Sequence, residues 1–120
     1  VDVSLNNEEL IESEKKDNLL AITGNKYCGE IWSNNEPKNW MVSPIYGDFT
    51  NLDTHITIIT GSRDLFIPDI KIFVQKLKNN NIKYNYYEYY GQCHDCTVYP
   101  TKEGNIMIKD IQNIIIQKDI

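Results

Sequence analysis

The sequence has 120 residues, 41% of them hydrophobic and 24% charged, and its formal net charge is -5. This length is enough for one small domain, and the composition is ordinary for a globular chain. Because phosphate binding requires clustered Lys and Arg, the acidic balance argues against a nucleic-acid partner. No apolar run approaches the roughly 20 residues of a membrane helix, so we expect no transmembrane segment.

Cysteine usage indicates the cellular compartment. The sequence has three cysteines, Cys28, Cys93 and Cys96, and such a small, odd number is not typical of a disulfide framework. No signal peptide is visible, although the chain begins at Val1 rather than at a Met, which leaves an upstream segment open. These features predict a reduced, cytoplasmic setting.

The first part of the chain predicts a strand followed by helices. Apolar and polar residues alternate over Val1–Leu5, which is the period of a strand. Asn6 or Asn7 is expected to cap a short helical turn, and the charged stretch 12–17 is expected to be exposed. Apolar residues at helical spacing over 19–32 then predict an amphipathic helix.

The second part alternates strands and helices. Residues 55–60 are rich in isoleucine and threonine and predict a buried strand, and the tyrosine-rich stretch 82–90 predicts another strand. We expect a helix that begins at Pro68 between them and a last helix over 103–117. This alternation predicts an α/β fold, in which helices cover the faces of a parallel sheet.

Two loops of the predicted sheet carry residues suited to acid–base chemistry. Loop 61–67 holds Asp64, and loop 91–100 holds His94. Because each loop follows a parallel strand, both project from the edge of the sheet at which such folds bind and react. A carboxylate beside an imidazole fixes the tautomer and stabilises the cation, and the other ring nitrogen is then the general base.

Three segments carry a resemblance to a known family: Ser43–Phe49, which precedes the strand at 55–60, and Thr60–Asp64 and Tyr90–His94, which lead into the two loops. Their order, spacing and local sequence resemble the α/β-hydrolase esterase/lipase group related to hormone-sensitive lipase, and the resemblance extends over nearly the whole chain. It implies the C-terminal half of an α/β-hydrolase parallel sheet with flanking helices. Residues 1–50 would be the strand end and the lid-side helices, and residues 51–120 the last two strands and helices. In that family Asp64 would be the acid and His94 the base of a Ser-His-Asp triad.

The resemblance also implies parts that this sequence lacks. α/β-Hydrolases carry the triad serine in a G-x-S-x-G motif that precedes the acid. No serine here has glycine at both required positions, and the His-Gly-Gly segment of the oxyanion hole is missing too. Both would lie before Val1, so the expected partner of this chain is the N-terminal half of the hydrolase domain.

The implied reaction is hydrolysis of a small-molecule or lipid carboxylic ester, without a metal or organic cofactor. A serine would attack the carbonyl carbon, His94 would take the serine proton, and Asp64 would orient His94. The chain alone is expected to be inactive, and a homodimer is left open. The alternative function is a non-catalytic, hydrolase-like remnant or a partner-binding module.

The residues on either side of His94, Gln92-Cys93 and Asp95-Cys96, depart from the family pattern. Cys93 and Cys96 also form a C-x-x-C motif, which is typical of redox pairs and of half zinc sites. A redox motif of the thioredoxin kind opens a helix, whereas Thr97–Pro100 follows here, and a zinc site needs further ligands. We therefore interpret both cysteines as free thiols. Trp32 and Trp40 have two interpretations, as the lining of an acyl pocket or as helix packing.

Overall fold

A computed structural model describes residues 1–116, and the predicted helix end at Gln117 lies outside them. The described helices are α1 (Leu10–Glu14), α2 (Ile22–Trp32), α3 (Ile67–Asn79) and α4 (Lys102–Ile116), and the strands are β1 (Ile56–Gly61) and β2 (Tyr84–Tyr89). Short 3₁₀ helices occur at Pro44–Tyr46 and Cys96–Val98. None of the described helices has both the length and the hydropathy needed to cross a bilayer.

The two strands pair in parallel, with Ile56 opposite Tyr84 and Gly61 opposite Tyr89. Helix α3 connects them, and it begins beside Pro68, whose missing N–H costs nothing in a first helical turn. The predicted α/β alternation of the second part of the chain is therefore confirmed. Because the strands are parallel and in register, their carboxyl ends lie side by side, and so do the loops that follow them.

Two apolar clusters hold these elements together. One cluster joins the N-terminal segment and α1 to the loop after β1, through Leu5, Leu10, Leu65 and Phe66. The other lies between α3 and the strands and is built on Phe49, Leu77 and Ile82. Each fully buried side chain of this kind contributes about 1.5–3 kcal/mol. The first cluster includes the two residues that directly follow Asp64, so the loop after β1 is anchored by its own apolar side chains.

The predicted strand at Val1–Leu5 is wrong, because this segment forms a turn. The Asp2 carboxylate accepts a hydrogen bond from the Ser4 N–H at 2.8 Å, and the Leu5 N–H donates to the Asp2 carbonyl at 3.1 Å. Leu5 has a φ of 47°, in the left-handed region that extended strands do not use. A short Asp side chain that bonds to nearby backbone competes with strand pairing, and alternating hydrophobicity does not register this competition.

The prediction that stretch 12–17 is exposed is wrong for its last residue, since Asp17 is 8% exposed. Its carboxylate accepts hydrogen bonds from the N–H groups of Leu19 at 2.8 Å and Leu20 at 3.1 Å. These bonds hold residues 18–20 in a turn, which is why α2 begins at Ile22 rather than at Leu19.

Candidate active site

The loops after β1 and β2 are joined by backbone hydrogen bonds. The Ser62 N–H donates to the Tyr89 carbonyl at 3.0 Å, and the Arg63 N–H donates to the Gln92 carbonyl at 2.9 Å. The Ser62 hydroxyl also accepts the Gly91 N–H at 2.8 Å. The two loops therefore fix each other's position at the carboxyl edge of the sheet.

Gly61, the last residue of β1, lies in close contact with the backbone of the loop after β2. A Cβ atom placed on Gly61 would lie 2.2 Å from the Gln92 carbonyl oxygen and 2.7 Å from the Cys93 carbonyl oxygen. Both neighbours are backbone atoms, so no side-chain rotation can relieve such a clash. The close approach of the histidine loop (residues 91–100) to the acid loop (residues 61–67) thus depends on a residue without a side chain.

Asp64 is 4% exposed, and both of its carboxylate oxygens accept hydrogen bonds. Oδ1 accepts the Phe66 N–H at 2.8 Å, and Oδ2 accepts the Thr60 hydroxyl at 3.3 Å. Oδ2 also lies 2.9 Å from Nδ1 of His94. The local bonds fix the carboxylate plane, and the remaining acceptor capacity is directed at the imidazole.

His94 lies between two carboxylates. Its Nδ1 faces Asp64, and its Nε2 is 3.4 Å from Oδ2 of Asp95. The side chain of Asp95 is 72% exposed, whereas that of Asp64 is 6% exposed, so solvent weakens only the contact with Asp95. The Phe66 ring packs edge-on against the imidazole with 5.4 Å between ring centroids. The orientation of the imidazole is therefore set by Asp64 and Phe66.

The pKa of His94 is raised above its ordinary value. The hydrogen bond with Asp64 is the largest cause, and partial burial, which disfavours the cation, opposes it. The charges of Asp64, Asp95 and Asp17 add to the increase. A general base becomes a cation when it takes a proton, and the surroundings of His94 stabilise this protonated form of the imidazole.

One cavity borders this pair of side chains, and a second cavity shares Phe66 with it. The first, of about 210 Å³, is bordered by Asp64, His94 and Phe66. The second, of about 300 Å³, is mainly apolar and is lined by Phe66 and Trp32. Phe66, which contacts the imidazole, thus borders both cavities. Trp40 is 63% exposed and does not line either of them.

The cysteines on either side of His94 differ in environment. Cys93 is half-buried and Cys96 is buried, where it contacts Met107, and both are free thiols. Burial raises the pKa of the Cys96 thiol. Within residues 1–116, no group of three or more His, Cys, Asp or Glu side chains is arranged to hold a metal ion.

Asp17 belongs to this neighbourhood, although the sequence pattern did not single it out. Its Oδ2 accepts the N–H of Leu65, the residue after Asp64, at 2.7 Å. The preceding residue contributes a second contact, because the Lys16 carbonyl accepts the Nε–H of Arg63 at 2.9 Å. The available signal was an Asp directly before Asn18 and an apolar run, which is typical of a turn or a helix cap.

Comparison with solved structures relates this fold to esterases and lipases. A candidate esterase from Staphylococcus aureus matches with a TM-score of 0.86 and 26% identity, over 95% of this chain and 39% of that chain. A hormone-sensitive lipase from a metagenome library matches with a TM-score of 0.88 and 20% identity, over 98% of this chain and 41% of that chain. An esterase/lipase from an uncultured bacterium matches with a TM-score of 0.86 and 16% identity, over 97% and 39% of the two chains.

These likenesses confirm the resemblance drawn from the sequence at the level of fold. The chain spans about two fifths of the length of the structures that it matches. No protein-family model and no curated protein gives a match to the sequence.

Proposed function

We propose that this chain, which has the partial α/β-hydrolase fold of esterases and lipases, supplies Asp64 and His94 as the acid and base of a carboxylic-ester hydrolase. The observation that carries the proposal is the 2.9 Å contact between Nδ1 of His94 and the buried Oδ2 of Asp64. The pair lies at the carboxyl ends of two parallel strands, and this is the edge at which parallel sheets of α/β folds bind and react.

In the proposed reaction, Asp64 accepts the Nδ1–H of His94 and so leaves the lone pair of Nε2 available. Nε2 takes the proton of a serine hydroxyl as the serine oxygen attacks the ester carbonyl carbon. The imidazolium then gives this proton to the departing alcohol, which leaves an acyl-enzyme. Water hydrolyses the acyl-enzyme in a second round, again with His94 as base and then as acid.

Asp64 contributes to this reaction through its burial as well as its charge. A carboxylate that is 4% exposed interacts with a developing imidazolium through a medium that screens far less than water. Its other hydrogen bonds, from Thr60 and Phe66, keep the carboxylate in place before the proton moves. The attraction is therefore organised in advance and is strongest when His94 is charged, which is the condition for lowering the barrier.

The proposed protein completes this site with an N-terminal half that carries the serine and the oxyanion donors. Its substrate would be a small-molecule or lipid ester, its setting the cytoplasm, and its assembly state a monomer or a homodimer. No G-x-S-x-G motif occurs in the 120 residues, so the serine in this proposal comes from outside them.

A partner-binding module without catalysis is the second candidate function. The observation in its favour is the exposed apolar surface of α2, where Tyr27, Ile31 and Trp32 are 65%, 65% and 76% exposed. Large exposed apolar patches mark interaction sites on soluble proteins. A protein of this second kind would keep the fold and would show no turnover that depends on His94.

The test is ester hydrolysis by the natural polypeptide that contains these residues, with p-nitrophenyl butyrate as substrate. Replacing His94 with Ala should lower kcat about 10⁴- to 10⁶-fold, as removal of a triad base does. His55, which is exposed and directly precedes β1, provides the control, and His55→Ala should leave kcat within about twofold of the parent, as surface changes away from a site do. Equal activity in the parent and in His94→Ala, or no activity in the parent, would contradict the proposal.

A further inference from the structure

Asp17 lies on the short connection between α1 and α2, and three backbone N–H groups converge on its carboxylate. Oδ1 accepts the N–H groups of Leu19 and Leu20, and Oδ2 accepts the N–H of Leu65 at 2.7 Å. The last of these bonds spans 48 positions of the chain and reaches the acid loop. The turn at residues 19–20 uses only Oδ1 of this buried carboxylate. The third hydrogen bond, to Oδ2, is therefore not needed for the turn.

The segment Lys16–Asp17 contacts the acid loop on both sides of Asp64. The Lys16 carbonyl accepts from the Arg63 guanidinium at 2.9 Å, and the Asp17 carboxylate accepts from the Leu65 N–H. The side chain of Leu65 is fully buried in the cluster that includes Leu10. Residues 63 and 65 are therefore held by the same segment, and the backbone of Asp64 is fixed from either side.

We propose that Asp17 is a positioning residue for the Asp64–His94 pair, which it serves by fixing the backbone of the acid loop next to Asp64. This inference rests on the proposed function for its effect on catalysis. Its effect on the pair itself does not depend on ester hydrolysis.

The charge of Asp17 supports the inference independently of its hydrogen bonds. The carboxylates that raise the pKa of His94 come from three elements: Asp64 from the loop after β1, Asp95 from the loop after β2, and Asp17 from the connection between α1 and α2. A cationic group of the acid loop, the Arg63 guanidinium, donates to the Lys16 carbonyl rather than to a carboxylate. Neutralising Asp17 should therefore lower the pKa of His94 without removing its Asp64 contact.

The test compares Asp17→Asn with Asp69→Asn in the natural polypeptide. Asp69 is a matched control, because it is 1% exposed and each of its oxygens also accepts a hydrogen bond, from the Asp2 N–H at 3.0 Å and from the Asn7 amide at 2.9 Å. Both substitutions remove one buried charge and one acceptor. Asp69 is not among the groups that shift His94.

Two readouts separate positioning from general stability. The first is the pKa of His94, followed by NMR titration of its imidazole and assigned with a His94→Gln variant. The second is the pH profile of kcat/KM for p-nitrophenyl butyrate, whose acidic limb reports the base of the free enzyme. Asp17→Glu, which keeps the charge on a longer side chain, serves as the conservative variant.

Asp17→Asn should lower the pKa of His94, move the acidic limb to lower pH, and reduce kcat about 10- to 100-fold with KM nearly unchanged. Asp17→Glu should restore most of the His94 pKa. Asp69→Asn should lower the melting temperature by a similar amount and leave both the His94 pKa and the acidic limb in place.

An unchanged His94 pKa in Asp17→Asn, with only a lower melting temperature, would overturn the inference and leave Asp17 as a purely structural residue. An equal shift in Asp69→Asn would overturn it as well. If the parent shows no ester hydrolysis while Asp17→Asn still lowers the His94 pKa, the proposed function fails and the placement of Asp17 at the pair stands.

Discussion

The paired loops after β1 and β2 and the exposed face of α2 use their side chains in opposite ways. In the loops, the buried carboxylate of Asp64 has a hydrogen-bonding partner on each oxygen, and the imidazole of His94 has a contact at each nitrogen. On α2, the large apolar side chains of Tyr27, Ile31 and Trp32 are 65–76% exposed. One region satisfies its polar groups internally, and the other leaves apolar surface without a neighbour among residues 1–116.

The pairing of adjacent strands explains the arrangement of the two loops but not that of the exposed α2 surface. The acid and histidine loops follow neighbouring strands, so a few backbone hydrogen bonds are enough to bring Asp64 and His94 together. The apolar face of α2 obtains no such help, because its contacts within residues 1–116 are mainly with α1 and the N-terminal turn. The pair is thus preformed, while the surface around it is the part whose behaviour depends on a neighbour.

The largest effect is expected for the 120-residue chain expressed alone. It should show no turnover of short p-nitrophenyl esters, because its sequence holds no serine in the required motif. It should also dimerise or aggregate, since within residues 1–116 the outer edges of the β1–β2 sheet are unpaired and the apolar face of α2 is exposed. Surfaces of both kinds associate readily with other chains. Light scattering after size-exclusion chromatography measures the association.

The comparison between the regions is sharpened by a surface variant of the same chain. Replacing Trp32 and Ile31 with Ser should reduce the association and leave the Asp64–His94 contact intact. Ester hydrolysis by the isolated chain that disappears in His94→Ala would contradict the expected inactivity, and would mean that another residue of this chain acts as the nucleophile.

Asp64→Asn should produce the next largest effect, with kcat of the natural polypeptide falling about 10⁴-fold. An amide in place of the carboxylate cannot stabilise the imidazolium and favours the wrong tautomer. The substitution should also lower the pKa of His94, because the bond to Asp64 is the largest cause of its increase. NMR titration of the imidazole in parent and variant checks this shift, and an unchanged pKa would contradict it.

The Asp64–His94 pair should make the free energy of unfolding depend on pH, with a larger contribution from the pair at acidic pH. The pKa of His94 is raised in the folded chain, so the stabilisation is fully present below the ordinary histidine pKa of about 6.5. It is lost as the pH rises through the higher folded-state pKa. The difference in unfolding free energy between the parent and His94→Gln should therefore be larger at acidic pH than at alkaline pH, and an equal difference at both would contradict the prediction.

Gly61→Ala should reduce kcat about 10²-fold, because a methyl group there meets the Gln92 carbonyl and pushes the two loops apart. Gly24→Ala in α2 is the matched control, since a Cβ at Gly24 meets no atom within 4 Å. This second change should stabilise the chain by about 0.5–1 kcal/mol, as Ala does when it replaces Gly within a helix. Equal effects of the two variants on kcat would show that the close approach of the loops is not required.

The sequence predicted most of what depends on local pattern. The strands at 56–61 and 84–89, and the helix between them, follow from residue preference and spacing, and the contact of Asp64 with His94 follows from parallel pairing. The turn at Val1–Leu5 and the burial of Asp17 were not predictable in this way. Each depends on a carboxylate that accepts a hydrogen bond from a particular N–H group. The periodicity of apolar residues in the sequence does not indicate such a bond. For Asp17, the deciding partner is Leu65, 48 positions away.

The smallest effect is expected for Asp95, the exposed carboxylate on the other side of the imidazole. Asp95→Asn should lower the pKa of His94 less than Asp64→Asn does, because Asp95 is 72% exposed and contributes through its charge rather than through the main hydrogen bond. Added salt should remove most of the Asp95 effect, since the Debye length falls to about 3 Å at 1 M, and should leave the effect of the buried Asp64 largely unchanged. Imidazole titrations of the parent and both variants at low and high salt measure the two contributions. A salt-resistant shift in Asp95→Asn would mean that His94 is held from both sides, and that its Nε2 is less available as a base than the exposure of Asp95 implies.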